Sequence, residues 1–433
     1  MKLFKHTIHI HKKRLAVFLI ISILIVAIVS FKHEIKIETS TARFWDIQAI
    51  DTMKYSRDVS REKLNDPTFD VEINRQVKDI AQTGATHVAI ATPYDEEFLP
   101  ILKRWVKAAR QNEIKVWFRG NFSGWEKWFE YEPITRDQHI KMTRTFITSH
   151  PELFEDGDIF SACPECENGG PGDPRLNGDA EGHKKFLIDS YKASKQAFED
   201  IGKDVPSNFM SMNGDVAKLI MDRETTASLD GLVTIDHYTG TPEQLLKDVN
   251  EYAKNSGGQV FIGEFGVPIP DINGEMTESQ QAKWITDVGR LLSTSPHVAG
   301  LSYWVNKGGS TAIFTDAGKP KRAAAALKGI YMPEFERIKV INEAGEAISD
   351  ALIDNGITTA VSNTSGLTSF PYINKNQKIT ISATNYRTKE MSLNKTPMHF
   401  AVVLKKTEES FIFRLKKIFR QGLNMINSPI PLN

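Results

Sequence analysis

The chain reads as an α/β protein: a TIM-type (β/α)8 barrel, preceded by a transmembrane helix and followed by a small β-sandwich. Three observations predict this. Short apolar runs alternate eight times with amphipathic segments between residues 44 and 332. An apolar stretch interrupted only by two serines precedes them at 15–31, and a period-two pattern follows from 336 onward. The apolar fraction of 40% and charged fraction of 25% exclude bulk disorder. With 54 basic and 54 acidic residues the formal charge is zero, which argues against nucleic acid or another polyanion as partner.

Residues 1–14 form a basic segment carrying Lys2, Lys5, Lys12, Lys13 and Arg14. Leu15 to Phe31 is apolar except for Ser22 and Ser30. A helix of that length rises about 25 Å, close to the thickness of a hydrocarbon core. The basic flank places the N-terminus in the cytoplasm. The nearest small residues for cleavage are Ala27 and Ser30, and neither makes a good small-x-small site. An uncleaved, single-pass signal anchor in the cell membrane is therefore expected, with a cleaved signal peptide as the alternative. Both export everything after Phe31. Residues 32–43 read as a polar linker.

The eight apolar runs are Phe44–Ile50, His87–Ala91, Ile114–Phe118, Ile159–Cys163, Phe209–Met212, Leu232–Ile235, Val260–Ile262 and Val298–Tyr303. Each is followed by a helical pattern. Ile73, Val77, Ile80 and Ala81 share one stripe that stops at Gly84, a C′ residue. Phe98, Leu102, Val106 and Ala109 form the second stripe, and a helix near 137–149 is the third. Phe186, Tyr191, Ala197 and Ile201 form the fourth; Val216, Leu219 and Ile220 the fifth; Leu245, Val249 and Tyr252 the sixth, ending at Gly257. Thr277 and Gln280 predict a capping box ahead of Trp284, Val288 and Leu291, and an alanine-rich helix closes the series at 320–330. Parallel crossovers need helix-length connections, so the alternation implies a parallel sheet. Eight units over about 290 residues fit a closed barrel. A doubly wound open sheet would carry a glycine-rich phosphate loop after its first strand, and none follows Ile50.

Beyond Pro333, Ile338-Lys339-Val340, Lys378-Ile379-Thr380-Ile381 and Phe400–Leu404 alternate, with turns at Asn342–Glu346 and Asn355-Gly356. This predicts a small antiparallel sandwich over 336–406. In the tail, 407–433, Phe411, Leu415, Ile418, Phe419 and Leu423 share one helical face among basic residues. Such a helix either lies on an anionic membrane or is a solvated or packed basic tail.

Active sites of such barrels lie at the C-terminal ends of the strands. After the seventh run stands Glu264, between Gly263 and Gly266, an unusual place for an acid. After the fourth stands Cys163-Pro164-Glu165-Cys166-Glu167-Asn168, where Glu165 and Glu167 share one side if the strand continues. Two carboxyl groups across a sugar-sized hollow are what glycoside hydrolysis requires. Other strand ends supply sugar-binding candidates: Arg119, Asn121 and Trp125 after the third run, Asn213 after the fifth, His237 and Tyr238 after the sixth, and Trp304 after the eighth. Aromatic faces stack on sugar rings, and amides bind their rims. No cofactor or metal is called for. Cys163 and Cys166 form a local disulfide, remain free thiols, or serve a metal or redox role.

In order and spacing, residues 44–330 resemble the clan A glycoside hydrolases, the superfamily that contains family 5. The resemblance implies Glu264 as nucleophile and Glu165 as acid/base, with Glu167 as the alternative. It also implies Tyr238 orienting Glu264, Trp304 flooring the sugar subsite, and a poly- or oligosaccharide substrate cleaved with retention. The clan places an asparagine before the acid/base; here Pro164 stands there, and Asn168 is the nearest amide. Residues 336–406 resemble the carboxypeptidase regulatory-like domain through Lys339–Gly345, Ala351–Ile353 and Ile379–Tyr386, with Asn385 where glycine is usual. That implies a non-catalytic accessory domain.

Overall fold

The computed structural model describes residues 43–356, 359–372, 378–393 and 400–407. The anchor expected at 15–31, the basic segment before it, nearly all of the linker and nearly all of the tail lie outside the described residues. Among those described, no helix is long and apolar enough to cross a membrane.

Eight parallel strands form one sheet: β1 Ile47–Asp51, β2 His87–Ile90, β3 Lys115–Phe118, β4 Ile159–Phe160, β5 Ser211–Asn213, β6 Leu232–Asp236, β7 Gln259–Phe265 and β8 Val298–Tyr303. Their order is β4-β3-β2-β1-β8-β7-β6-β5. The β4 and β5 edges meet through Phe160 N–H donating to Pro206 O (2.9 Å) and Glu165 N–H donating to Ser211 O (2.7 Å), which closes the barrel. The helices that follow the strands are α1 Phe69–Gln82, α2 Leu99–Gln111, α3 Arg136–Ser149, α4 Ala180–Asp200, α5 Gly214–Ile220, α6 Pro242–Ser256, α7 Glu278–Leu292 and α8 Arg322–Tyr331.

Most predicted stripes are buried. Ile73, Val77 and Ile80 on α1 contact the core, and Gly84 takes φ +84° just past its end. The capping box at Thr277 and Gln280 is present. Two positions differ: Leu219 is exposed, because α5 is only two turns long, and Leu292 rather than Leu291 takes the inner place on α7.

Three strands depart from prediction in ways that shape the site. β4 stops after two residues, so Ala162 and Cys163 belong to a loop. β5 begins two residues later than the apolar run. β7 runs four residues longer at its N- and C-terminal ends together and contains Glu264. Between Ile262 and Phe265 it advances three residues while β8 advances two, from Leu301 to Tyr303. That extra residue is a bulge, a device that re-aims a side chain.

Side chains alternate in and out along each strand. The inward layer is apolar: Ala49, Ala89, Trp117, Ile159, Phe209, Leu232 and Phe261 form one buried cluster. Trp117, Phe209 and Phe261 meet edge to face and plug the barrel. Two residues on, the same faces present Asp51 after Ala49 and Arg119 after Trp117, while Asp236 lies two past Thr234. On β7 the bulge makes the step three, from Phe261 to Glu264. A polar layer thus sits on an apolar floor.

From residue 334 onward the chain forms a second core around Ile338, Val340, Ile353, Phe370, Ile379, Ile381 and Val402. Its strands are β9 Glu334–Asn342, β10 Leu352–Asp354, β11 Thr359–Val361, β12 Leu367–Tyr372, β13 Lys378–Ser382, β14 Lys389–Ser392 and β15 Phe400–Leu404. They form a β11-β10-β13-β14 sheet and a β12-β9-β15 sheet. The pairing is not wholly antiparallel: β15 runs parallel to β9.

Candidate active site

Arg119 is the centre of the polar layer. It is fully buried, and its guanidinium lies 5.3 Å above the Trp117 ring. Nη1 bonds Glu264 Oε1 and Asp51 Oδ2 (3.1 Å); Nη2 bonds Asp236 Oδ2 (2.6 Å) and Ser211 Oγ (3.3 Å). Burial opposes its charge, yet Asp236, Glu264 and Asp51 together hold its pKa well above the ordinary value. Three carboxyl groups share one cation, so protons are retained. Burial pushes Asp51 up to about 6 and Asp236 well above the carboxylate range, against the pull of Arg119.

Glu264 is held at both oxygens. Arg119 takes Oε1, and the Tyr238 hydroxyl donates to Oε2 at 2.6 Å. Burial and the neighbouring Glu264 raise the Tyr238 pKa well above 10. The glycines flanking Glu264 permit close approaches. A Cβ on Gly263 would stand 2.5 Å from Asp236 Oδ1, and one on Gly266 would collide with Trp304 O. Trp304 is half-buried and meets Tyr238 edge to face, ring centroids 6.0 Å apart. Lys54, in the short helix Met53–Ser56 after β1, lies 5.7 Å from the Trp304 ring centroid.

Glu165 stands in the loop after β4 with φ +47°, a conformation a glutamate rarely adopts. Cys163 and Cys166 are joined by a disulfide across it. Among the described residues no hydrogen bond or ion pair engages its carboxyl group. Burial, then the charge of Glu264, raises its pKa to about 7, while Arg119 opposes the rise. The two carboxyl groups are therefore close enough to sense each other's charge.

The other predicted residues are placed differently. Because β4 ends at Phe160, Glu165 and Glu167 do not alternate on a strand; Glu167 is buried and accepts from Asn213 N–H at 2.6 Å. Asn213 meets Glu167 through its backbone at the end of β5. Asn168 closes the Glu165 turn, its N–H donating to Glu165 O at 2.8 Å. Arg119 is fully buried, and its guanidinium is taken up by Asp51, Asp236 and Glu264. Asn121 is fully buried, bonding Glu126 at 2.9 Å and His139 at 2.9 Å. Trp125 is a core residue: its ring is fully buried and stacks on Phe186 at 4.7 Å. His237 turns outward to α6, where Nε2 meets Asp248 at 2.8 Å.

Asp51, Asp236 and Glu126 belong to the site and were not singled out from sequence. Asp51 and Asp236 directly follow the first and sixth apolar runs, so the rule that selects Glu264 also selects them. Glu126 lies between Trp125 and Trp128; burial raises its pKa well above the ordinary range, and Glu165 is among its charged neighbours. A separate cavity of about 560 Å³, lined by Tyr94, Asp95, Phe122, Tyr131, Met142 and Phe146, contains neither Glu165 nor Glu264.

Comparison with known proteins agrees on architecture. The chain matches no protein-family model and no curated protein sequence. Among solved structures it is similar to GH5_18 from Bifidobacterium longum subsp. longum, with TM-score 0.51 and 13% identity over 70% of this chain and 85% of that one. At that identity the likeness is one of fold. β-Glucuronidase 2 of Bacteroides uniformis has TM-score 0.49 and 12% identity over 83% of this chain, which spans 46% of that protein's length. A GH5_18 from Bifidobacterium longum subsp. infantis has TM-score 0.47 and 13% identity, over 70% of this chain and 87% of that one.

Proposed function

We propose that the chain is a retaining glycoside hydrolase acting on an oligo- or polysaccharide. The observation that carries this reading is the pair of carboxyl groups in the loop after β4 and near the C-terminal end of β7. One is clamped by Arg119 and Tyr238; the other is free of side-chain partners among the described residues and titrates near neutrality. A group with a pKa of about 7 is protonated about half of the time at neutral pH and can both give and take a proton. Glu264 attacks the anomeric carbon as the glycosidic C–O bond breaks, and Glu165 protonates the departing oxygen. Water then displaces Glu264 from the glycosyl ester, giving its proton to Glu165. Trp304, beside Tyr238, offers the sugar a platform.

The family 5-like fold supports the reading, and the acids, not the fold, argue the chemistry. The membrane anchor at 15–31 and an extracytoplasmic barrel are part of the proposal; the disulfide fits an oxidising compartment. The seven C-terminal strands, with the resemblance stated above, support an accessory domain of the carboxypeptidase regulatory-like kind.

One observation favours a second reading, a carbohydrate-binding scaffold on a barrel without turnover: Arg119 neutralises Glu264 together with Asp51 and Asp236. Replacing Glu264 by Gln separates the two. Turnover of an activated aryl glycoside that survives the change unaltered removes the hydrolase mechanism.

A further inference from the structure

The Cys163–Cys166 disulfide does not merely neighbour Glu165; it encloses it. Pro164 and Glu165 are the only residues between the bridged positions, whose Cα atoms are 5.2 Å apart. β4 ends at Phe160, so no strand ladder runs through this loop. Glu165 nonetheless adopts the left-handed backbone region, where a Cβ is crowded by the following carbonyl. Two backbone hydrogen bonds assist: Glu165 N–H to Ser211 O at 2.7 Å and Asn168 N–H to Glu165 O at 2.8 Å. Both cysteines are buried, and Trp125 Nε1 donates to Cys166 O at 3.2 Å, tying the loop to the core.

We propose that the Cys163–Cys166 disulfide is a positioning device for the Glu165 carboxyl group, holding the loop in the one backbone conformation that aims it into the site. The proposal rests on the reading of Glu165 as acid/base. Global stabilisation is a poor account of this bridge, because so short a loop closes at little entropic cost and its crosslink constrains the unfolded chain least. Orientation is the better account, since no other side chain among the described residues holds the Glu165 carboxyl group. Released from the bridge, Glu165 is free to return to negative φ, which turns its side chain. A misplacement of about 1 Å costs on the order of a hundredfold in rate.

The charged groups around Glu165 are Glu264 on β7, Arg119 and Glu126 after β3, Glu167 in its own loop, Arg57 after β1 and Asp236 at the end of β6. Turning away from them toward water brings its titration down toward the ordinary carboxylate range. The test uses the full chain with Cys163→Ser and Cys166→Ser together. Glu165 is titrated by carbon-13 NMR of carboxyl-labelled protein, its signal assigned with Glu165→Gln, alongside kcat and KM. The expected result is a midpoint displaced downward from about 7 and a kcat lowered about a hundredfold with KM little changed. An unmoved midpoint in the folded variant overturns the proposal, whether or not any glycoside is turned over. A failed substrate screen with a displaced midpoint counts against the reaction and not against the positioning role. Should the double variant not fold, the wild-type disulfide is opened with a water-soluble phosphine. Phosphine, water and disulfide give phosphine oxide and two thiols, counted by mass. An unmoved midpoint with both thiols present overturns the proposal equally.

Discussion

Glu264 and Glu165 are brought within range of each other's charge by opposite means. Glu264 rides on β7, a seven-residue strand, and is re-aimed by a bulge. Its side chain is then fixed from outside by Arg119 and Tyr238. Glu165 has almost no strand beneath it, since β4 has two residues, and it is its loop rather than its carboxyl group that is fixed, by a proline, a disulfide and a left-handed φ. The difference fits the roles proposed for the two groups. A group that must attack one carbon benefits from having its oxygens held. A group that must release and recover a proton is hindered by a permanent ion pair, which would bind it in one protonation state.

The largest break in this comparison is Glu264→Gln. Turnover of an activated aryl glycoside falls on the order of ten-thousandfold or more, with the circular dichroism of the folded protein unchanged. Next, Glu165→Gln lowers kcat about a hundred- to ten-thousandfold for substrates with poor leaving groups. Substrates whose leaving group needs no proton lose far less in the first step. Equal losses across a series of leaving groups would count against Glu165 as the acid. Tyr238→Phe removes one charge-assisted hydrogen bond, commonly about 1.5–3 kcal/mol, so kcat/KM falls about ten- to a hundredfold. A change confined to KM would mean that Tyr238 contacts sugar rather than Glu264.

The smallest effect concerns stability and pH. Glu165 binds its proton more tightly in the folded chain, where burial holds its pKa at about 7, than in the unfolded one, at about 4.5. The unfolded state therefore binds fewer protons between those values, and stability falls as pH rises through that window. Glu165→Gln removes the penalty. The variant should exceed wild type by on the order of 3 kcal/mol at pH 8 and match it near pH 4, measured by denaturant unfolding. A difference that is the same at both pH values sinks the claim that Glu165 is buried with its proton. In activity, the same group predicts loss of turnover as pH rises through about 7, because the acid form is the one required.

The sequence alone determined the barrel, the second all-β core and the identity of the acid at the end of β7. Those rest on local periodicity and on glycines around a carboxylate, which are properties of neighbouring residues. It carried less about β4, because Ala162 and Cys163 are apolar enough to continue a strand that tertiary pairing ends at Phe160. The tertiary structure decided that Trp125 packs in the core, that His237 faces α6, and that Arg119 gathers three acids. Each depends on which distant side chains arrive opposite, such as Phe186, Asp248 and the Asp51–Asp236–Glu264 set. Residue type and spacing are local, but burial and charge neutralisation are settled only when eight strand ends converge.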